Sequence, residues 1–357
     1  MLKVGVIGLA QAGKTTLFRI MTRAHGAGVG AGRAEAHLGV VTVPDPRLDR
    51  LTAMFNPRKT VHATVEYVDF PGSVIDLVRA GSESALLREV QALAHVVRAF
   101  GDDTDLASSL CRNIETVELE LILSDLAVAE KRLQRLEKDI KKQKNPSLEH
   151  ELQILILCKA TLEKQTPLRE LSLDAEQARA IRGFTFLSEK PLLYVLNLDE
   201  RDAGRTGSAG DELAGGAGLK QRLRTGFTAV CGKVESELAE LTDQEAAEFM
   251  ASFGLQEAAV DRVIRSSYQL LGLISFFTVG EDECRAWTIR SGASAWEAAG
   301  EIHTDIQRGF IRAEVVAYDD LIACGSLAEA RNRGRLRLEG KDYIVKDGEI
   351  VHFRHSG

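Results

Sequence analysis

Cysteine is scarce in this 357-residue chain. There are five, Cys111, Cys158, Cys231, Cys284 and Cys324, an odd number with no Cys-x-x-Cys pair and no metal-ligand spacing. The pattern argues against a disulfide framework or a zinc cluster and for a reducing cytosol. No run of about 18 uncharged apolar residues occurs, so no membrane span is expected. Met1-Leu2-Lys3-Val4 enters an apolar run without the layout of a signal peptide, and a cytoplasmic location is the expectation. Internal repeats are lacking as well. A net charge of −7 argues against nonspecific coating of nucleic acid, while leaving room for a local basic face. The length suffices for two or three domains with a substantial core.

What the chain does have begins at its eighth residue. Gly8-Leu9-Ala10-Gln11-Ala12-Gly13-Lys14-Thr15 fits the phosphate-binding loop pattern in full. It follows the strand-like Leu2-Lys3-Val4-Gly5-Val6-Ile7 and precedes the helix-compatible Thr16-Leu17-Phe18-Arg19-Ile20-Met21, the context in which the pattern has physical meaning. Gly8 and Gly13 let the backbone of Ala10, Gln11, Ala12 and their neighbours curl around phosphates, with the helix N-terminus at Lys14, Thr15 and Thr16 facing the anion. Lys14 is placed to reach the β/γ oxygens and Thr15 to give its hydroxyl to Mg²⁺.

A second strand, Val61-His62-Ala63-Thr64-Val65-Glu66-Tyr67-Val68, stops at Asp69-Phe70-Pro71-Gly72. Next to a phosphate loop, this Asp-x-x-Gly element assigns Asp69 to Mg²⁺ and Gly72 to the γ-phosphate, so Lys14, Thr15, Asp69 and Gly72 form the candidate catalytic set. A third strand, Pro191-Leu192-Leu193-Tyr194-Val195-Leu196, delivers Asn197-Leu198-Asp199-Glu200. Guanine readers carry Asn-Lys-x-Asp there. Glu200 is one methylene longer than the Asp, and Leu198 replaces the Lys, so guanine loses its best contact, and adenine, which Asn197 and nearby backbone groups could read, is favoured. The plainer alternative is a polar loop after a strand.

With these elements in place the chain resembles the YchF / Obg-like ATPase family of P-loop NTPases nearly end to end. Val43-Pro44-Asp45-Pro46-Arg47-Leu48-Asp49 and the Asn-x-x-Glu at Asn197 and Glu200 carry part of the resemblance. The densest part lies in Leu270-Leu271-Gly272-Leu273, Arg285-Ala286-Trp287-Thr288-Ile289, Ile302-His303-Thr304-Asp305, Arg308-Gly309-Phe310-Ile311-Arg312-Ala313-Glu314 and Leu338-Glu339-Gly340-Lys341-Asp342-Tyr343. The resemblance implies a slowly hydrolysing NTPase that prefers ATP to GTP, uses Mg²⁺ and associates with ribosomes. It also implies a C-terminal β-grasp (TGS) domain and a base contact at Cys231 and Gly232.

The fold expected is therefore α/β: a P-loop NTPase domain (1–105 and 183–272) interrupted by an α-helical coiled-coil hairpin (106–182) and followed by a TGS β-grasp domain (273–357). Leu119, Ile122, Leu126, Ala129, Leu133 and Leu136 repeat at helical spacing. Asn145-Pro146 breaks the pattern, and Leu152, Leu155, Ile156 and Leu162 resume it. Lys131, Arg132, Arg135, Lys138, Lys141, Lys142 and Lys144 gather near the break, either as a solvated helix face or as a contact to ribosomal RNA phosphates. Residues 26–32 and 204–218 read as small-residue loops, 238–250 and 257–271 as helices, and Asp347-Gly348 as a hairpin turn. A monomer is expected.

Three departures from the family pattern bear on turnover. Arg33 stands near the position of a Mg²⁺-closing threonine, Ala10-Gln11-Ala12 replaces Pro-Asn-Val, and Ser73-Val74-Ile75-Asp76 follows Gly72 where the family has a longer glycine-rich switch segment; no glutamine after Gly72 can orient water, a lack the family shares. Arg33 or His37 could supply charge in cis. Two readings stay open, an ATPase and a nucleotide-gated ribosome- or RNA-binding module with little or no hydrolysis.

Overall fold

A computed structural model describes residues 2–25, 36–80, 82–101, 105–142, 145–255 and 257–356. The segment 26–32, Arg33 and Lys144, for which roles were expected above, lie outside the described residues. The chain divides into two compact units, one of Met1–Val41 with Glu66–Leu270 and the other of Thr42–Val65 with Leu271–Gly357.

The first unit is built on a six-stranded sheet. Its strands are β1 (Lys3–Ile7), β2 (His37–Thr42), β4 (Thr64–Asp69), β5 (Ala92–Ala99), β6 (Leu192–Leu198) and β7 (Thr225–Val230), in the order β2-β4-β1-β5-β6-β7, with β3 (Lys59–Val61) lying elsewhere. Strand β1 runs parallel to both β4 and β5, and β5, β6 and β7 continue in parallel. All seven positions of β6 are buried and only Arg98 of β5 is exposed, so these strands are nearly continuous apolar runs broken by His95, Arg98 and Asn197, the composition a parallel sheet covered on both faces requires. Successive connections leave β1 toward β4 on one side and β5 on the other, and the crevice beyond its carboxyl end is where such sheets hold ligands.

The inserted hairpin is two helices, Leu106–Lys142 and Pro146–Glu163. Asn145 caps the second, its side chain accepting from the Ser147 amide at 3.0 Å with Pro146 in the first turn, which explains the break in the apolar pattern. The first helix serves two cores. Leu110, Ile114, Val117 and Leu121 pack with Tyr194 and Leu196 of the sheet, whereas Ile122, Ala129, Leu133 and Leu136 pack with Ile154, Leu155, Cys158 and Leu162. Leu119 and Ile156, placed by their spacing in the apolar seam, are instead exposed. Both occupy the outer face, one or more positions off the stripe that meets the partner helix.

Two buried carboxylates fasten this helix to the sheet. Glu118 Oε1 accepts from Arg169 Nη1 and from the Tyr194 hydroxyl, each at 2.8 Å, and its Oε2 accepts from Arg222 Nη1 at 2.5 Å. Burial alone would raise the Glu118 carboxyl, but Arg169, Arg222 and Tyr194 together hold it below its ordinary value. Two turns on, Asp125 accepts from the amides of Leu187 at 2.9 Å and Ser188 at 2.7 Å, where the insertion returns to the sheet.

Several sequence expectations change in this unit. The strand expected over 61–68 is two strands, because β3 stops at Val61 and β4 starts at Thr64. Residues 204–218 are ordered into the end of a short 3₁₀ turn (Glu200–Arg205) and a helix (Thr206–Gly216). Their small size has a packing reason: a Cβ on Gly210 would stand 2.6 Å from that of Ala229 on β7. The helix expected over 238–250 splits at Leu238, and a new one, Asp243–Ser252, starts at a Thr242/Glu245 capping box.

The second unit has its own six-stranded sheet, formed by β8 (Leu273–Thr278), β9 (Glu283–Arg290), β10 (Phe310–Ala317), β11 (Arg337–Glu339), β12 (Glu349–His355) and β3, in the order β11-β10-β12-β8-β9-β3. Helix Ala295–Ile302 contributes Ala295, Ala298 and Ala299 to a core with Phe276, Val315 and Phe353. Residues 42–65 fall inside the span expected to be NTPase domain, yet β3 pairs in parallel with β9, and Arg47 ion-pairs with Asp347 at 2.7 Å. Asp347-Gly348 forms a turn but no hairpin. Ile344 makes an isolated bridge to Ser294, and β12 pairs with β10 and β8.

Candidate nucleotide site

The loop between β1 and helix Lys14–His25 owes its course to two glycines. Gly8 has φ +149°, and a Cβ there would lie 2.4 Å from the Val96 carbonyl oxygen; Gly13 has φ +98°, and its Cβ would lie 2.4 Å from Asn197 Nδ2. No other residue fits either place. Between them Ala10 and Gln11 are exposed, Gln11 with φ 60°, and Ala12 is buried. Lys14 is 6 % exposed, its ammonium donating to the carbonyl oxygens of Leu9 at 2.8 Å and Gly8 at 3.3 Å. Burial lowers its pKa and the charge of Asp69 works against that shift. Thr16 is exposed on the first turn of the helix.

Asp69, the last residue of β4, has a fully buried side chain. Thr15 Oγ1 donates to its Oδ2 at 3.0 Å, and its buried Oδ1 has no hydrogen-bond partner among the described residues. Burial pushes this carboxyl up, opposed by Thr15, His37 and Lys14. His37 Nδ1 stands 3.8 Å from Oδ2. A carboxylate oxygen without a partner beside a hydroxyl is a set of hard oxygens of the kind Mg²⁺ takes. Gly72 is exposed on the turn that follows, and two residues later the Val74 amide donates to the Gly8 carbonyl at 3.1 Å, tying this turn to the phosphate loop.

Asn197 sits at the carboxyl end of β6, 8 % exposed. Both ends of its amide are engaged: Nδ2 donates to the Ala12 carbonyl at 3.0 Å, and Oδ1 accepts from the Gly232 amide at 2.9 Å. The sequence reading pointed this side chain at a base; here it fastens the phosphate loop to the turn after β7. Glu200 is half exposed and ion-paired with Lys233. Cys231 is buried, which raises its thiol pKa, and precedes helix Gly232–Leu238. Gln11, Gly13, Thr16, Asn197, Glu200 and Gly232 line one cavity of about 700 Å³, together with Phe100 and Lys233.

Phe100 and Lys233 were not singled out from sequence. Lys233 had a signal, since it follows the Cys231-Gly232 pair directly. Phe100 had none, because its place depends on β5 lying beside β6.

A six-stranded sheet with β1 central, a glycine-bounded phosphate loop at its carboxyl end and a buried Asp69 against Thr15 define a P-loop NTPase. Residues 273–356 match the family model YchF-GTPase_C, described as a protein of unknown function (DUF933). The chain is 40% identical to the "Ribosome-binding ATPase YchF" of Bacillus subtilis (strain 168) over 99% of both chains, and 40% identical to that of Escherichia coli O157:H7 over 98% of both. Its structure matches the Schizosaccharomyces pombe YchF GTPase with a TM-score of 0.83 at 27% identity, covering 99% of this chain and 97% of that one. The chain belongs to the YchF family.

Proposed function

We propose that this protein binds ATP in preference to GTP, hydrolyses it slowly to ADP and phosphate, and acts in the cytoplasm, as a monomer, at the ribosome. The observation that carries the reading is the Asp69 carboxylate, buried beside Thr15 and Lys14 with one oxygen unpartnered among the described residues. Backbone amides from Gly8 to Thr16 and the Lys14 ammonium take the phosphates, Gly72 senses the γ-phosphate, and the base enters the cavity lined by Asn197, Glu200 and Gly232, next to Cys231. Thr15 and Asp69 would hold Mg²⁺, which when bound offsets the charge on the β/γ oxygens. The names of the bacterial relatives support the ribosome as partner, and the exposed Lys131, Arg135, Lys138, Lys141 and Lys142 offer cations to its RNA.

Slow turnover follows from what succeeds Gly72. No glutamine stands there to orient water, and Val74 is 2 % exposed. The same observation favours a second reading, a nucleotide-gated binding module with little hydrolysis.

Competition of ATP and GTP for a fluorescent nucleotide tests the first reading, and a tenfold preference for GTP would overturn it. Single-turnover hydrolysis with and without ribosomes separates the two readings: acceleration by ribosomes supports the ATPase, and no measurable product in either case supports the gated module. Lys131→Glu with Lys138→Glu should weaken ribosome binding, and unaltered binding would remove the hairpin from the interface.

A further inference from the structure

Strands β6 and β7 are parallel neighbours, with Asn197 opposite Val230, so the segments leaving their carboxyl ends run side by side at the mouth of the 700 Å³ cavity. Glu200 opens the 3₁₀ turn after β6, and Lys233 lies in the first turn of the helix after β7. The Lys233 ammonium donates to Glu200 Oε2. Both side chains are exposed, at 64% and 48%.

We propose that Lys233 sets base selectivity by holding the Glu200 carboxylate in an ion pair and so withholding it from guanine. The inference rests on the reading of this cavity as the base site. Guanine presents two adjacent donors, N1–H and the 2-amino group, and the acceptor complementary to both is a carboxylate with two free oxygens. In this protein one of the two is committed to an ammonium. Adenine lacks the 2-amino group and its N1 accepts, so it asks for no such carboxylate. An exposed pair of this kind is weak, on the order of 0 to 1 kcal/mol, so its role is not to stabilise the fold. Its effect is on the choice of ligand, because admitting guanine means breaking it and leaving an ammonium facing a donor edge.

Asn197 already has both ends of its amide engaged, Nδ2 by the Ala12 carbonyl and Oδ1 by the Gly232 amide. Glu200 and Lys233 are thus the charged pair at the cavity mouth whose partners a base can exchange.

The test is a set of titrations of the full-length protein with fluorescent ATP and GTP analogues, in the wild type, Lys233→Met, Lys233→Arg, Glu200→Gln and the double variant Lys233→Met with Glu200→Gln. Lys233→Met should raise GTP affinity about threefold to fivefold with ATP affinity within twofold of the wild type. Lys233→Arg should restore the wild-type ratio, and the double variant should lose the gain in GTP affinity because the carboxylate is gone. An unchanged ATP-to-GTP ratio in Lys233→Met, with wild-type affinity for ATP retained, overturns the proposal and leaves the base-site reading standing. Failure of the wild type to bind either nucleotide overturns both. A fall in both affinities by the same factor in Lys233→Met assigns the pair to structure and overturns the proposal.

Discussion

Asn197 Nδ2 donates to the carbonyl oxygen of Ala12, 185 positions earlier in the chain, at 3.0 Å. Through the same amide Ala12 is coupled to Gly232, so the loops that leave β1, β6 and β7 share one side chain. The phosphate loop and the turn after β7 are thereby fixed relative to each other.

Asn197→Ala should therefore weaken ATP and GTP alike, leaving their ratio unchanged, and destabilise the first unit by about 1–3 kcal/mol for each buried partner left unsatisfied. Paired titrations check this, and a variant that lost only one of the two nucleotides would show that Asn197 reads the base.

Lys14→Ala should abolish phosphate-dependent binding while the far-UV spectrum stays unchanged. Among the described residues the ammonium's hydrogen bonds go to the Leu9 and Gly8 carbonyl oxygens of its own loop, and the Gly8 carbonyl keeps its bond from the Val74 amide without it. Titration with ATP and with adenosine separates the phosphate contribution from that of the base, and retained ATP affinity would move the site elsewhere.

Local pattern made much of this readable. The phosphate loop, the Asp69 turn and the run ending at Asn197 each occupy a few contiguous residues whose order carries the chemistry, and Asn145-Pro146 announces the helix break by the same kind of local rule. What stayed hidden depends on neighbours distant in sequence. Glu118 and Asp125 look like ordinary charges on a long helix until Arg169, Tyr194 and the amides of Leu187 and Ser188 are brought to them. The ordering of 204–218 depends on Ala229, and the departure of β3 to the second sheet depends on β9.

The pair of Glu118 and Arg169 yields a stability prediction. Glu118→Ala leaves Arg169, whose side chain is 1% exposed, without its counter-charge and should cost about 3–5 kcal/mol. Both tryptophans, Trp287 and Trp296, belong to the second unit, so unfolding of the first must be followed by far-UV circular dichroism. A loss under 1 kcal/mol would mean that Arg169 finds another partner.

His95 yields a pH dependence. It is buried on β5 with Nδ1 unpartnered among the described residues, and burial lowers its pKa to about 3. Between that value and about 6.5 the unfolded chain binds a proton that the folded one refuses, so stability falls as pH drops through this window. At pH 5 the loss from this group is about 2 kcal/mol relative to pH 7 and above. Denaturant unfolding of the wild type and His95→Gln at pH 7 and pH 5 checks the sign, since the variant should lose less on acidification. An equal loss in both would put the acid sensitivity elsewhere.

The second sheet draws its edge strand from residues 59–61, with Lys59 opposite Glu283. During synthesis β3 and the helix Pro46–Phe55 emerge long before β9 exists. At roughly 5–20 residues per second that interval lasts on the order of 10 to 45 s. Leu48 and Leu51, wholly buried in the finished protein, wait in the nascent chain for partners not yet made. The early segment thus stays without its strand partner until β9 is made, and a truncation before β9 leaves it permanently unmatched.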